Sequence, residues 1–168
     1  MKSRLLTAEQ ALRLLAETPA RIQSATTGLS AAELRRRPSP DEWSVNDVLA
    51  HLRACADVRG GALAIVLAED HPTIRTTNPR TYMETTDYPD LEFGPSFRAF
   101  AKQRKDLLAV LQSLPTEAWA RSARITGAGK PLEYTVQYYA DWLAVHERPH
   151  IKQIERVAAT LHSAPSQF

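Results

Sequence analysis

The feature that most constrains this chain is a series of long segments whose apolar residues recur every three to four positions, separated by turn-forming residues. That period stacks apolar side chains on one face of a helix, and no convincing strand-like alternation competes with it. The first segment opens at Thr7 with Gln10 three residues on, the spacing of a capping box. Its apolar face is Leu12, Leu15, Ala16, Ile22 and Ala25, and Pro19 inside it predicts a kink or a break. Ser30 with Glu33 starts a short helical turn that Pro38 and Pro40 stop. The second long helix opens at Ser44, with Asp47 in the box position, and runs to about Ala68. Val48, Leu52, Cys55 and Val58 form its inner face, with His51 beside them. Gly60 and Gly61 each cost about 1 kcal/mol against alanine inside a helix; they predict a close helix approach or a local bend. The third helix runs from about Pro95 to Leu114, with Phe97, Phe100, Leu107, Leu108 and Leu111 inward. Trp119 and the polar stretch Arg121 to Lys130 read as a connector turned by Gly127 and Gly129, and the last helix is placed from Pro131 to about Leu161.

Four such helices and no strand predict an all-α, four-helix bundle. The segment Glu69 to Gly94 has no sustained period and is rich in Pro, Thr, Asp and Arg. A short link forces neighbouring helices to be antiparallel. A link of this length permits a long crossover, with the second and third helices running parallel, and loops this long are often functional covers. Residues 1–162 read as a single domain and 163–168 as a disordered tail.

Composition adds exclusions. The 168 residues are 43% hydrophobic, enough to bury a core without staples. Twenty-one basic against 19 acidic residues leave a net charge of +2, which argues against nucleic acid as the partner. The single cysteine excludes an intramolecular disulfide and suits a reducing compartment. Lys2 and Arg4 are followed by no apolar run, and the apolar stretch from Gly60 to Ala68 is too short for a bilayer. The expectation is a cytoplasmic protein with a small-molecule substrate, no membrane and no nucleic acid.

Two of the five histidines, His146 and His150, are four apart on the last helix, which stacks their imidazoles on one face. His51 on the inner side of the second helix is the natural third ligand for a metal ion. An inward histidine is also a common hydrogen-bonded core residue, so the pattern alone leaves both readings open. Glu147 follows His146 where a zinc protease would carry its general base, but the rest of that context is missing and helix geometry reads Glu147 as exposed.

Two segments carry a resemblance. Pro38 to Leu52, PSPDEWSVNDVLAHL, and His146 to Ile154, HERPHIKQI, resemble the two signatures of the DinB/YfiT-like superfamily. The first has a tryptophan, a capping serine and then a histidine; the second has two histidines with three residues between them, followed by glutamine. The resemblance implies a four-helix bundle of unusual topology and a divalent-metal site, nickel or zinc, held by His51, His146 and His150. It also implies the activities of characterised branches, which are S-transferases using the low-molecular-weight thiols bacillithiol or mycothiol and a mycothiol-dependent maleylpyruvate isomerase. Dimers are common in the family, so a homodimer is implied. The expected function is a metal-dependent enzyme acting on a small molecule, a thiol-dependent S-transferase or a hydrolase. The alternative is a non-catalytic metal-binding or dimerising stress-related protein whose site is structural or vestigial. One departure is Pro149, where many members have a histidine; it removes the amide that would bond the Val145 carbonyl and predicts a bend beside the ligands.

Other residues are candidates around this site. Gln153 follows His150 by three and is placed to orient a ligand histidine. Tyr139, seven before His146, is either a donor to substrate or a core tyrosine, and Trp142, four before it, walls the site. Trp43 packs at the start of the second helix. Cys55 reads as a small buried hydrophobe rather than a ligand. His71, Arg75 and Arg80 lie in the long connection; His71 is a minor candidate for touching substrate, and the two arginines could grip a carboxylate or a thiol cofactor, though solvated loop charges are the simpler reading for them. His162, near the end, has no assigned role.

Overall fold

The structure is a computed structural model and describes residues 5–164. Residues 1–4 and 165–168 lie outside the described residues; of the tail expected at 163–168, Ser163 is the last residue of α6 and Ala164 its C-cap. Among the described residues there are six α-helices, besides two short 3-10 turns: α1 (Ala8–Thr26), α2 (Ala31–Arg35), α3 (Val45–Ala68), α4 (Pro79–Glu84), α5 (Phe93–Gln112) and α6 (Val136–Ser163). The capping boxes at Thr7, Ser30 and Ser44 all form, each hydroxyl accepting from the backbone three residues on and each third residue reaching back.

The long helices α1, α3, α5 and α6 make a bundle in which α1 packs on α6 and α5, and α3 packs on α6 and α5. Cross-contacts fix the directions. Arg53 donates to Ser96, Gln103 donates to Asp57, and Leu63 and Ala64 share a groove with Leu107 and Val110, so α3 and α5 run parallel. Thr18 meets Glu147, Arg21 pairs with Glu155 and His162 bonds the Ala25 carbonyl, so α1 and α6 also run parallel. The Glu69–Glu92 connection therefore carries the chain back along the bundle, as its length predicts.

The expectation of a purely helical chain needs correction. Three short strands, β1 (Thr73–Arg75), β2 (Ser122–Thr126) and β3 (Leu132–Thr135), form a sheet in the order β1-β2-β3. β1 pairs parallel to β2, and β2 antiparallel to β3. The Arg121–Lys130 connector is the first arm and turn of a hairpin. Gly127 and Gly129 have φ of 90° and 84°, which glycine adopts without strain. Ala123 and Ile125 alternate inward to the core. Pro131 belongs to this turn and does not open the last helix; Thr135 caps α6 by accepting from the Tyr138 amide.

Two prolines sit inside helices without breaking them. α1 runs through Pro19 and α6 through Pro149. Pro19 frees the carbonyl of Leu15, and the Arg104 guanidinium from α5 donates to that oxygen at 3.0 Å. Nor do Gly60 and Gly61 mark a close helix approach: a side-chain carbon at either position would meet nothing within 4 Å.

Two apolar clusters fill the bundle. One joins Leu15, Leu63, Val66, Leu111, Tyr139 and Leu143 to the sheet. The other joins Ile22, Val48, Leu52, Phe100, Ile154 and Val157. Between them lies a layer of buried polar side chains: Thr18, His51, Arg104 and Glu147.

Candidate metal centre

His51 lies in this polar layer because the α3 stripe that carries Val48, Leu52 and Cys55 faces α6. It is 3% exposed. The facing stripe of α6 presents His146 and His150, one turn apart, both partly buried. The three rings come together, with centroids 5.4 Å apart for His51 and His146, 4.7 Å for His51 and His150, and 4.8 Å for His146 and His150. The Nε2 atoms of His51 and His146 are 3.1 Å apart. Two nitrogens bound to one ion at about 2.0–2.1 Å sit about 2.9 Å apart at a right angle and about 3.4 Å apart at a tetrahedral one. The observed separation falls inside that range.

The site holds its histidines uncharged. Burial is the largest cause of a fall to about 4 for His51, and the neighbouring imidazoles add to it. Burial likewise lowers His146 to about 4, with His150 and the Arg59 cation contributing. His150 is lowered too, again chiefly by burial, while its bond to Gln153 opposes the fall. A neutral imidazole offers the lone pair that a metal requires. Gln153 Oε1 is 3.4 Å from His150 Nδ1, so a proton on Nδ1 donates to the amide oxygen and leaves Nε2 as the free acceptor.

Cys55 is fully buried, and its Sγ is 3.5 Å from His51 Nε2. Donor atoms of His51, Cys55 and His146 all lie within 4.8 Å of one another, so by atom positions Cys55 completes a cluster that His150 completes by ring positions. Burial, reinforced by the charge of Glu147, pushes the Cys55 thiol up to about 12. Binding an ion through Cys55 would require the metal to displace the thiol proton, whereas a neutral His150 has no proton to lose at its free nitrogen. The donor atoms of His51, Cys55 and His146 could hold a divalent ion, and His150 brings a further neutral imidazole beside them.

Aromatic side chains wall the site. Trp142 stacks on His146 at 4.3 Å with the planes 13° apart. Trp43 lies 5.2 Å from His51 and 6.4 Å from His150 between ring centroids. The Arg80 guanidinium from α4 covers Trp43 at 4.9 Å, and its charge is felt by all three histidines. Sequence reasoning treated Arg80 as a solvated loop charge; α4, unseen in the sequence, delivers it to the site.

Other candidates fall elsewhere. Tyr139 is buried in the apolar cluster beside the sheet, two turns from His146. His71 is exposed, has φ of 45° and bonds Glu133 of β3, away from the histidines. Glu147 is not exposed, as helix geometry had suggested, but 1% accessible. One residue past His146 the helix surface has turned toward α1 and α5, where Glu147 pairs with Arg104 and accepts from Thr18 at 2.9 Å. With its oxygens so engaged it does not serve as a general base at the histidines. The signal that could have found this pair is the lone Arg104 among the inward apolar positions of α5.

Comparison with known proteins extends these observations. YuaE, an uncharacterised protein of Bacillus subtilis, is 24% identical over 151 residues, covering 82% of this chain and 90% of YuaE. YfiT of Bacillus subtilis, described as a "probable metal-dependent hydrolase with an unusual four-helix bundle topology", superimposes with a TM-score of 0.79 at 17% identity. That match covers 98% of this chain and 94% of YfiT, and it shows the fold. The DinB superfamily model matches residues 14–154, spanning α1 to α6 and all three histidines, and the chain belongs to the DinB superfamily.

Proposed function

We propose that this chain is a metal-dependent enzyme acting on a small molecule, with His51, His146 and His150 holding a divalent ion and hydrolysis as its reaction. The observation that carries the reading is the convergence of three neutral imidazoles, two with Nε2 atoms 3.1 Å apart, flanked by Trp43 and Trp142. The description of YfiT as a metal-dependent hydrolase favours hydrolysis. The bound ion would supply Lewis acidity, making a water or a thiol nucleophilic at neutral pH.

The chain's own residues do the rest. Three neutral ligands leave the full charge of the ion uncompensated, which strengthens its action. Gln153 sets the tautomer of His150. Trp142 and Trp43 hold two of the rings against rotation and exclude water from one side. Arg80 stands at the rim and favours negative charge developing on a substrate. Cys55, protonated and buried, does not serve as the nucleophile, so thiol transfer would need a small thiol from outside.

The test is turnover by nickel- or zinc-loaded protein. Hydrolysis of 4-nitrophenyl acetate that disappears in His51→Ala supports the reading. Conjugation of bacillithiol or mycothiol to 1-chloro-2,4-dinitrobenzene, with no ester hydrolysis, would make the chain an S-transferase. Metal binding without either turnover is the behaviour of a structural site.

A further inference from the structure

We propose that the cavity under the Glu69–Glu92 crossover binds the carboxylate end of the substrate, with Arg59 as its anion-binding residue and the histidines at the reacting end. The orientation of the ligand rests on the metal-enzyme reading above; the cavity and its arginine do not. The cavity has a volume of about 270 Å³ and lies between the second half of α3, β1, β2 and Tyr139 of α6. Ala62, Ile74 and Ile125 give it apolar walls, while Arg59 and Arg75 bring cationic groups. Its size suits a small organic ligand, at the lower end of the roughly 300–1,000 Å³ usual for such pockets.

Gly61 lines this cavity, and its position explains what the helix gains from a poor helix former. Its backbone needs no positive φ, and a side-chain carbon there would meet nothing within 4 Å. Glycine costs about 1 kcal/mol against alanine in a helix interior. What its missing side chain leaves is room.

Arg59, whose guanidinium lies over the Trp142 ring, is the group that lacks an acceptor. Among the described residues it makes no ion pair and no side-chain hydrogen bond, and its Nε is fully buried with no acceptor. A buried donor without an acceptor is costly, and a guanidinium edge is shaped to give two parallel bonds to a carboxylate. Arg104, whose Nε also lacks an acceptor, differs in that its charge is neutralised by Glu147. Asp57 also lines the cavity, but its oxygens are occupied by Tyr82 at 3.5 Å, Tyr88 at 2.5 Å and Gln103 at 2.7 Å. Arg75 is exposed at the cavity mouth and is likewise without an ion pair among the described residues.

The histidines do not line the cavity, but stripes of two helices lead from it toward them. His51, Cys55 and Arg59 recur every four residues along one stripe of α3. On the facing stripe of α6, Tyr139, Trp142 and His146 follow the same line. The Arg59 guanidinium lies 4.5 Å from the Trp142 ring, and that ring lies 4.3 Å from His146. A ligand anchored on Arg59 would run along Trp142 toward the imidazoles. The substrate class is an elongated small molecule with a carboxylate at one end and the reacting group several bonds away.

The probes are 3-phenylpropionate and its uncharged amide, titrated calorimetrically into the purified protein and again after chelation, so that no ion competes for the carboxylate. The acid should bind at least tenfold more tightly than the amide in both forms. Arg59→Met should lose that tenfold without changing the metal content, and Arg59→Lys, which keeps charge but not the fork, should recover only part of it. Gly61→Leu, which fills the cavity and leaves Arg59 in place, should abolish binding of the acid. Equal binding of acid and amide, or acid affinity within twofold of the original in either Arg59→Met or Gly61→Leu, would overturn the proposal. A protein that binds no metal but keeps Arg59-dependent binding would overturn the metal reading and leave the subsite standing; retained metal with no preference for the acid would do the reverse.

Discussion

Glu147, the residue directly after the His146 ring, turns its carboxylate away from the histidines and onto the buried guanidinium of Arg104. The same guanidinium donates to the Leu15 carbonyl that Pro19 leaves without its helical partner. One side chain from α5 thus holds the α6 turn that carries the histidines and repairs the proline turn of α1. Removing either member of a buried pair strands the other charge, at about 3–5 kcal/mol. Arg104→Met and Glu147→Leu should each lower stability by that amount in urea titrations. The double variant should recover most of it. Part of the remaining loss should be restored by adding Pro19→Ala, which returns an amide to Leu15; no coupling between positions 19 and 104 would contradict this geometry.

Cys55 and His150 make opposite predictions at the metal. Because burial keeps the Cys55 thiol protonated, Cys55→Ala should bind nickel or zinc within about threefold of the unaltered protein. His150→Ala should lose affinity by two orders of magnitude or more, as expected for a removed ligand. Equilibrium titration with a competing chelator separates the two. Loss of affinity in Cys55→Ala would place the thiol among the ligands.

The metal-free protein should lose stability as the solution is acidified through a defined window. His51 and His146 are held near 4 by burial, below the usual 6.5. Above about pH 6.5 both folded and unfolded chains carry these rings neutral, and their contribution is intact. Between about 6.5 and 4 the unfolded chain takes up protons that the folded chain does not, so stability falls with falling pH. Below about 4 both forms are protonated and the loss is complete. One pKa unit corresponds to about 1.4 kcal/mol, so the total is on the order of a few kcal/mol. Urea midpoints from pH 8 to pH 4.5 measure it, and a shallower profile in His51→Ala/His146→Ala, with a slope left by His150, is the expected control.

How much of this was legible in the sequence depends on the range of the interaction. The three capping boxes and most of the apolar stripes of α1, α3 and α5 are local, and they were read at their correct places, except Ala16 of α1, which is exposed. The length of the second connection carried the parallel run of α3 and α5. The sheet was not legible because β1 and β2 are far apart in sequence and only three to five residues long, so neither has a period of its own. Pro131 misled because proline suits a turn as well as a first helical position. At the site, spacing singled out His146 and His150 and the inner face of α3 singled out His51, while the ligand set itself came from the resemblance. Glu147 was misread because its face is decided by α1 and α5, which periodicity within α6 cannot report. Arg59 and Arg80 depend on where the crossover lies, and no local pattern carries that.

Asp57 pins that crossover. It accepts from Tyr88 and Tyr82 of the connection and from Gln103 of α5, and burial together with this carboxylate raises the Tyr88 hydroxyl to about 12. Asp57→Ala should cost about 1–3 kcal/mol, the penalty for leaving such donors unpaired. Trypsin should then cut faster after Arg75 or Arg80 than elsewhere in the chain. Unchanged cleavage there would mean that the connection is held by other contacts.

The central claim is that His51, His146 and His150 hold one divalent ion. Elemental analysis of the purified protein, after loading with nickel or zinc and removal of free ion, tests it most directly. The account predicts one ion per chain, and less than a tenth of that in His51→Ala with an unchanged helical spectrum. No bound ion in the unaltered protein, or an equal amount in His51→Ala, would contradict it.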